Sequence, residues 1–218
     1  MVTEAVIFDM DGVIFDSEKV ICDVWEEYAE KIGLANMHEL MIKCIGLNNL
    51  ATKKLFLETY GDDFPYEDHL RVISGKYHAI CDAGRLPLKP GVNNLLSFLK
   101  ERNIRIAIAS STRIQTVTAQ IKDAGIDGYF EKVIGGDMVV KSKPEPDIFL
   151  RACEELSVDA KNCFVIEDSY NGVRAAFAAG TRPIMVPDLL PANDEMREKS
   201  YTVLKDLNEV RDMLEKIL

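Results

Sequence analysis

Ala5-Val6-Ile7-Phe8-Asp9-Met10-Asp11-Gly12-Val13 runs from an apolar stretch straight into two carboxylates and a glycine. A short apolar run with no polar alternation reads as a strand buried on both faces. Asp9 and Asp11, two residues apart just past such a strand, point the same way if the chain stays extended. Crowded carboxylates repel unless a cation lies between them, and oxygen donors favour a hard ion such as magnesium. Gly12 lets the chain turn tightly beside that ion. A plainer reading, a solvated Asp-Gly turn, fits the same residues taken alone.

The pattern recurs outward from this stretch. Residues 104–109 form an apolar run ending at Ser110, and residues 163–166 form one ending at Glu167 and Asp168. Weaker runs lie at 132–134 and 183–186. Helix-period segments at 92–100, 114–124, 146–156 and 172–179 separate them, bounded by Gly91, Gly125, Pro146 and Gly180. Strand alternating with helix predicts an α/β fold, a Rossmann-like, doubly wound parallel sheet with helices on both faces.

Residues 17–32, 50–60 and 67–83 carry helix-period apolar residues with no strand among them. The expected organisation is therefore a catalytic core of residues 1–16 and 86–218 with a helical domain, 17–85, inserted after the first strand. The segment 84–91, with Pro87 and Pro90, reads as the return linker. Ligands of open parallel sheets bind beyond the carboxyl ends of the strands, which gathers Asp9, Ser110, Glu167 and Asp168 along one rim.

The remaining polar segments fit that rim. Glu167 and Asp168 could complete the metal site, with Ser169 and Asn171 hydrogen-bonding the ligands from behind; alternatively Asp168 or Ser169 caps the following helix. Ser110-Ser111-Thr112 sits between a strand and a helix, where hydroxyls and amides can meet a phosphate or serve as caps. Lys143 in Ser142-Lys143-Pro144-Glu145-Pro146-Asp147 could neutralise both a phosphate and a nucleophilic carboxylate.

A chain of 218 residues with 47% hydrophobic side chains can bury a core without disulfides. The net charge of -10, with no basic stripe, argues against nucleic acid. An anionic substrate would then need a divalent cation and local basic residues. Five scattered cysteines without CxxC spacing read as reduced, buried thiols. The three histidines show no metal-ligand spacing. With neither a signal-like stretch nor a run of membrane-span length, a cytoplasmic location without membrane association is expected. A monomer is expected too, with the amphipathic segment 207–218 packed on the core.

In their order along the chain, the segments around Asp9, Ser110, Lys143 and Glu167-Asp168 resemble the haloacid dehalogenase superfamily of phosphohydrolases, most closely its beta-phosphoglucomutase-like branch. The resemblance spans essentially the whole chain. It implies Asp9 as nucleophile, Asp11 as general acid and base, and Ser110 and Lys143 gripping the phosphate. It implies Mg2+ held by Asp9, the Met10 carbonyl and Asp168, with Glu167 direct or one shell out. Phosphoryl transfer needs mainly charge neutralisation and in-line positioning, so this set is chemically coherent.

Asp11 separates phosphate-ester members of the family from its dehalogenases, which lack that carboxylate. The mutases carry a cap histidine and a cap arginine, where offset alignment puts Ile21 and Asn49; neither can relay a proton or carry charge. The expected activity is therefore a magnesium-dependent phosphatase acting on a small phosphate ester such as a sugar phosphate. A phosphosugar mutase and a non-catalytic phosphate-binding protein are the alternatives. Ser111, Asn49 and Lys76 are candidate substrate contacts, and Glu18, Asn48 and His78 further specificity candidates.

Overall fold

The computed structural model describes residues 2–44, 49–82, 84 and 86–218, with the backbone alone at Asn49 and Asp82. Six strands form one sheet: β1 (Ala5–Phe8), β2 (Arg105–Ala109), β3 (Lys132–Ile134), β4 (Cys163–Glu167), β5 (Arg182–Met185) and β6 (Thr202–Val203), in the order β3-β2-β1-β4-β5-β6. Every pairing is parallel. The helices are α1 (Ser17–Ile32), α2 (Met37–Cys44), α3 (Asn49–Tyr60), α4 (Tyr66–Asp82), α5 (Val92–Glu101), α6 (Ile114–Asp123), α7 (Asp147–Leu156), α8 (Tyr170–Ala178), α9 (Asp194–Lys199) and α10 (Leu207–Glu215).

The chain forms two compact units, one of residues Met1–Asp16 with Pro87–Leu218 and the other of Ser17–Leu86. In the first, β1 is central, with Phe8 in register with Ile108 of β2 and Ile166 of β4. The strand order reverses direction at β1: β2 and β3 lie to one side, β4 to β6 to the other. Such a switch point opens a crevice at the carboxyl ends, and Asp9 follows β1 directly into it.

Strands buried on both faces explain the unbroken apolar runs. Ala5, Ile7, Ala107, Ala109, Cys163 and Val165 pack with Ile148, Phe149 and Ala152 of α7 and Ala175 and Ala176 of α8. Their neighbours Val6, Phe8, Ile106, Ile108, Phe164 and Ile166 are equally buried. Helix α10 packs against α5, which itself lies on β2, so the C-terminal amphipathic segment joins this core as expected. The chain leaves and returns as a tied pair: the Asp16 amide donates to Pro87 O at 2.9 Å and the Lys89 amide to Ile14 O at 2.8 Å. Lys89 Nζ adds ion pairs to Asp16 at 3.2 Å and Asp188 at 2.5 Å.

The helical unit centres on Phe56, whose ring meets Trp25 at 4.8 Å and Tyr66 at 5.0 Å. Helix α2 went unread in the sequence although Met37, Leu40, Met41 and Cys44 are buried at helical spacing; eight residues give that period little length to show itself. Two further elements are too small for periodicity to reveal, the two-residue β6 and the six-residue α9, in which only Met196 is buried. Helix α8 starts at Tyr170, ahead of the expected 172, because Ser169 Oγ caps it by accepting from the Gly172 amide. The five cysteines are buried thiols with no disulfide among them. No described helix is long and apolar enough to cross a membrane.

Candidate active site

Four loops at the carboxyl edge of the sheet bring the expected residues together. Asp9 is fixed by its amide, which donates to Ile166 O at 2.9 Å, and Ser110 by its amide bond to Ile134 O at 3.0 Å. Glu167 ends β4, and its own carbonyl accepts from the Val186 amide at 2.8 Å. Asp9, Ser110 and Glu167 are among the buried polar residues of the chain, with 6%, 1% and 0% exposure. Burying them is costly unless each is satisfied.

Lys143 satisfies two of them. Its ammonium donates to Asp9 Oδ1 at 2.5 Å, to Glu167 Oε1 at 2.6 Å and to Ala109 O at 3.3 Å, and lies 4.9 Å over the Phe149 ring. The other Glu167 oxygen, Oε2, accepts from the Ser169 amide at 2.9 Å and its hydroxyl at 3.0 Å. Gly172 makes room for this carboxylate: a Cβ there would fall 1.7 Å from Glu167 Oε1.

One ammonium faces two buried carboxylates, with Asp11 nearby. Asp9 is pushed up to about 8, chiefly by burial; Lys143 pulls against that rise, whereas Glu167 and Asp11 add to it. Burial works against the Lys143 charge, but Asp9 and Glu167 outweigh it and hold the ammonium above its ordinary value. A second positive charge beside Asp9 would favour its ionised form.

The donors near Asp9 suit a small hard cation. Gly12 has φ of 78°, and a Cβ on it would lie 2.3 Å from Asp168 Oδ2, so the Asp168 carboxylate is pressed against the loop that carries Asp9. Carboxylate oxygens are what magnesium selects. Among the described residues no group of three His, Cys, Asp or Glu side chains already converges as a metal cage. Glu167 accepts from Lys143 through one oxygen and from Ser169 through the other. The Met10 carbonyl accepts from the amides of Ile14 at 2.9 Å and Phe15 at 3.0 Å, which uses its two lone pairs.

Asp11 Oδ2 accepts from Thr112 Oγ1 at 2.9 Å and, at the long distance of 3.5 Å, from Ser110 Oγ. Thr112 was read only as part of a turn; its spacing two residues past a strand end on the same rim was the available signal. Ser111 is exposed. Asn171 is exposed too and accepts from Arg174, so it does not brace the cluster. Lys76 belongs to the helical unit, where it approaches Glu27 at 3.8 Å; Glu18 and His78 lie in the same unit. Asn48 lies outside the described residues, as does the side chain of Asn49.

Comparison with known proteins agrees with this arrangement. Residues 3–180 match the model of the haloacid dehalogenase-like hydrolases. A phosphorylated carbohydrates phosphatase of Thermotoga maritima is 30% identical over 213 residues, covering 97% of this chain and 90% of that protein. A beta-phosphoglucomutase of Bacillus subtilis is 29% identical, covering 94% of each. The crystal structure of a HAD family hydrolase from Deinococcus radiodurans, with bound phosphate and sodium, superposes with a TM-score of 0.84 at 25% identity, covering 98% of this chain and 96% of that one. Sheet order, carboxyl-edge cluster and family match agree: the chain belongs to the haloacid dehalogenase-like hydrolases.

Proposed function

We propose that this protein is a magnesium-dependent phosphatase that hydrolyses a small phosphate ester, a sugar phosphate by preference, through a phosphoryl group carried on Asp9. The observation that carries this reading is the Lys143 ammonium, 2.5 Å from the buried Asp9 carboxylate. A cation held against a carboxylate at a strand end is placed to serve attack on an anionic phosphate.

Asp9 attacks phosphorus, forming an acyl phosphate as the ester oxygen leaves; Asp11 delivers the proton to that oxygen and then takes one from the attacking water. Lys143 offsets the charge spread over the phosphoryl oxygens, and Ser110 Oγ donates to one of them. A magnesium ion held by Asp9 and Asp168 would supply the further positive charge that keeps Asp9 ionised and draws the anionic ester in. The Asp11 carbonyl, which accepts from no backbone amide among the described residues, is better placed to join those donors than the Met10 carbonyl.

A phosphosugar mutase is the second reading, favoured by the likeness to a beta-phosphoglucomutase over 94% of this chain. The test is phosphate release from a panel of sugar phosphates, nucleotides and aryl phosphates, with magnesium or chelator, beside Asp9→Asn. Release that needs both magnesium and Asp9 supports the phosphatase. Interconversion of beta-glucose 1-phosphate and glucose 6-phosphate with a bisphosphate, without net release, would select the mutase.

A further inference from the structure

We propose that Thr112 is a positioning residue that holds the Asp11 carboxylate in place for proton transfer. This rests on the reading of Asp11 as the acid and base.

All three polar groups of Thr112 are engaged. Its hydroxyl donates to Asp11 Oδ2 at 2.9 Å, its amide to Ser110 Oγ at 3.0 Å, and its carbonyl accepts from the Gly136 amide at 2.9 Å. The backbone under it is braced by the loop after β3. A Cβ on Gly136 would lie 2.2 Å from Ser111 O, and one on Gly135 would lie 2.3 Å from the Ile114 nitrogen. Asp137 Oδ1 accepts from that same Ile114 amide at 2.9 Å. Two loops thus meet backbone to backbone beneath Thr112, and its β-branched side chain has few rotamers to choose from.

Ser110 cannot do this job once a substrate arrives. Its bond to Asp11 is long at 3.5 Å, and its proton is the one a phosphoryl oxygen would claim. Thr112 keeps hold of Asp11 when Ser110 turns away. A hydroxyl can donate to a carboxylate or accept from a carboxylic acid, so the contact persists on either side of the proton transfer.

The test compares Thr112→Val, which keeps the shape and loses the hydroxyl, with Thr112→Ser, which keeps the hydroxyl. The probes are glucose 6-phosphate, whose alcohol must be protonated to leave, and 4-nitrophenyl phosphate, whose phenolate leaves without help. kcat/KM reports the steps up to phosphoryl transfer to Asp9. Thr112→Val is expected to lower kcat/KM about 10-fold or more on the sugar phosphate, a fraction of a full acid–base contribution, and to lower it far less on the aryl ester. Thr112→Ser should restore most of the loss. Equal losses on both esters, no loss, or no rescue by serine would overturn the positioning role while leaving the hydrolase reading intact. Failure of the parent enzyme to cleave either ester in an Asp9-dependent way would remove the hydrolase reading and this inference with it.

Discussion

Lys143 Nζ stands 2.5 Å from Asp9 Oδ1 and 2.6 Å from Glu167 Oε1, a single ammonium shared by two buried carboxylates. Lys143 is delivered by the loop ahead of α7, Asp9 by the central strand, and Glu167 by the strand beside it. The arrangement fixes the lysine from two sides, and burial of Asp9 at 6% exposure keeps water from screening the pair. With Asp9 pushed up to about 8, a cation bound beside it would favour the ionised carboxylate.

Removing the ammonium should be expensive. Lys143→Met leaves the buried Asp9 and Glu167 carboxylates without their shared cation, a change expected to cost about 3–5 kcal/mol. Because Asp9 can take a proton, the loss should be smaller at acid than at alkaline pH. Urea denaturation of the parent and variant at both pH values checks this, and turnover should disappear in parallel.

Asp9 also gives the metal-free protein a distinctive pH dependence. Its value in the folded chain lies near 8 against an ordinary 3.8, so the folded state binds the proton more tightly. The stability it contributes is full below about 3.8 and is lost as pH rises through about 8. Denaturation midpoints measured with chelator should fall across that window, and Asp9→Asn should flatten the fall.

Magnesium should act on the same balance. Binding to the folded form alone stabilises by about 2.7 kcal/mol at a hundredfold excess over Kd. Thermal melts with and without magnesium should show the rise in the parent protein and lose most of it in Asp168→Asn. An equal rise in both would remove Asp168 from the site.

Gly172 tests how tightly Glu167 must be held. Its missing side chain leaves the space that Glu167 Oε1 occupies, a hypothetical Cβ falling at 1.7 Å. Gly172→Ala should shift the carboxylate, slacken Lys143 and lower kcat. Its stability cost should be about 1–3 kcal/mol, the range for overpacking. Steady-state kinetics and a melt on one preparation measure both.

The sheet was legible because strands buried on both faces leave unbroken apolar runs, and each run that ended in Asp9, Ser110 or Glu167 pointed at the same rim. The short α9 and β6 carry too few apolar residues to leave a pattern. Within the site, residue type showed which side chains could do chemistry, but not how they pair. Nothing in the spacing reveals that Glu167 turns both oxygens to Lys143 and Ser169. Nor does it show that Met10 O is occupied by the Ile14 and Phe15 amides, or that Thr112 reaches Asp11 across 101 residues of sequence. Those pairings depend on loop backbones that tertiary contacts fix.

The most direct test of the account is to acid-quench the enzyme during turnover of 4-nitrophenyl phosphate with magnesium, reduce it with borohydride, and map the peptides by mass spectrometry. An acyl phosphate on Asp9 predicts homoserine at position 9, absent from Asp9→Asn and from enzyme quenched without substrate. Phosphate released by the parent enzyme with no modification at Asp9, or with the phosphoryl group on another side chain, would contradict it.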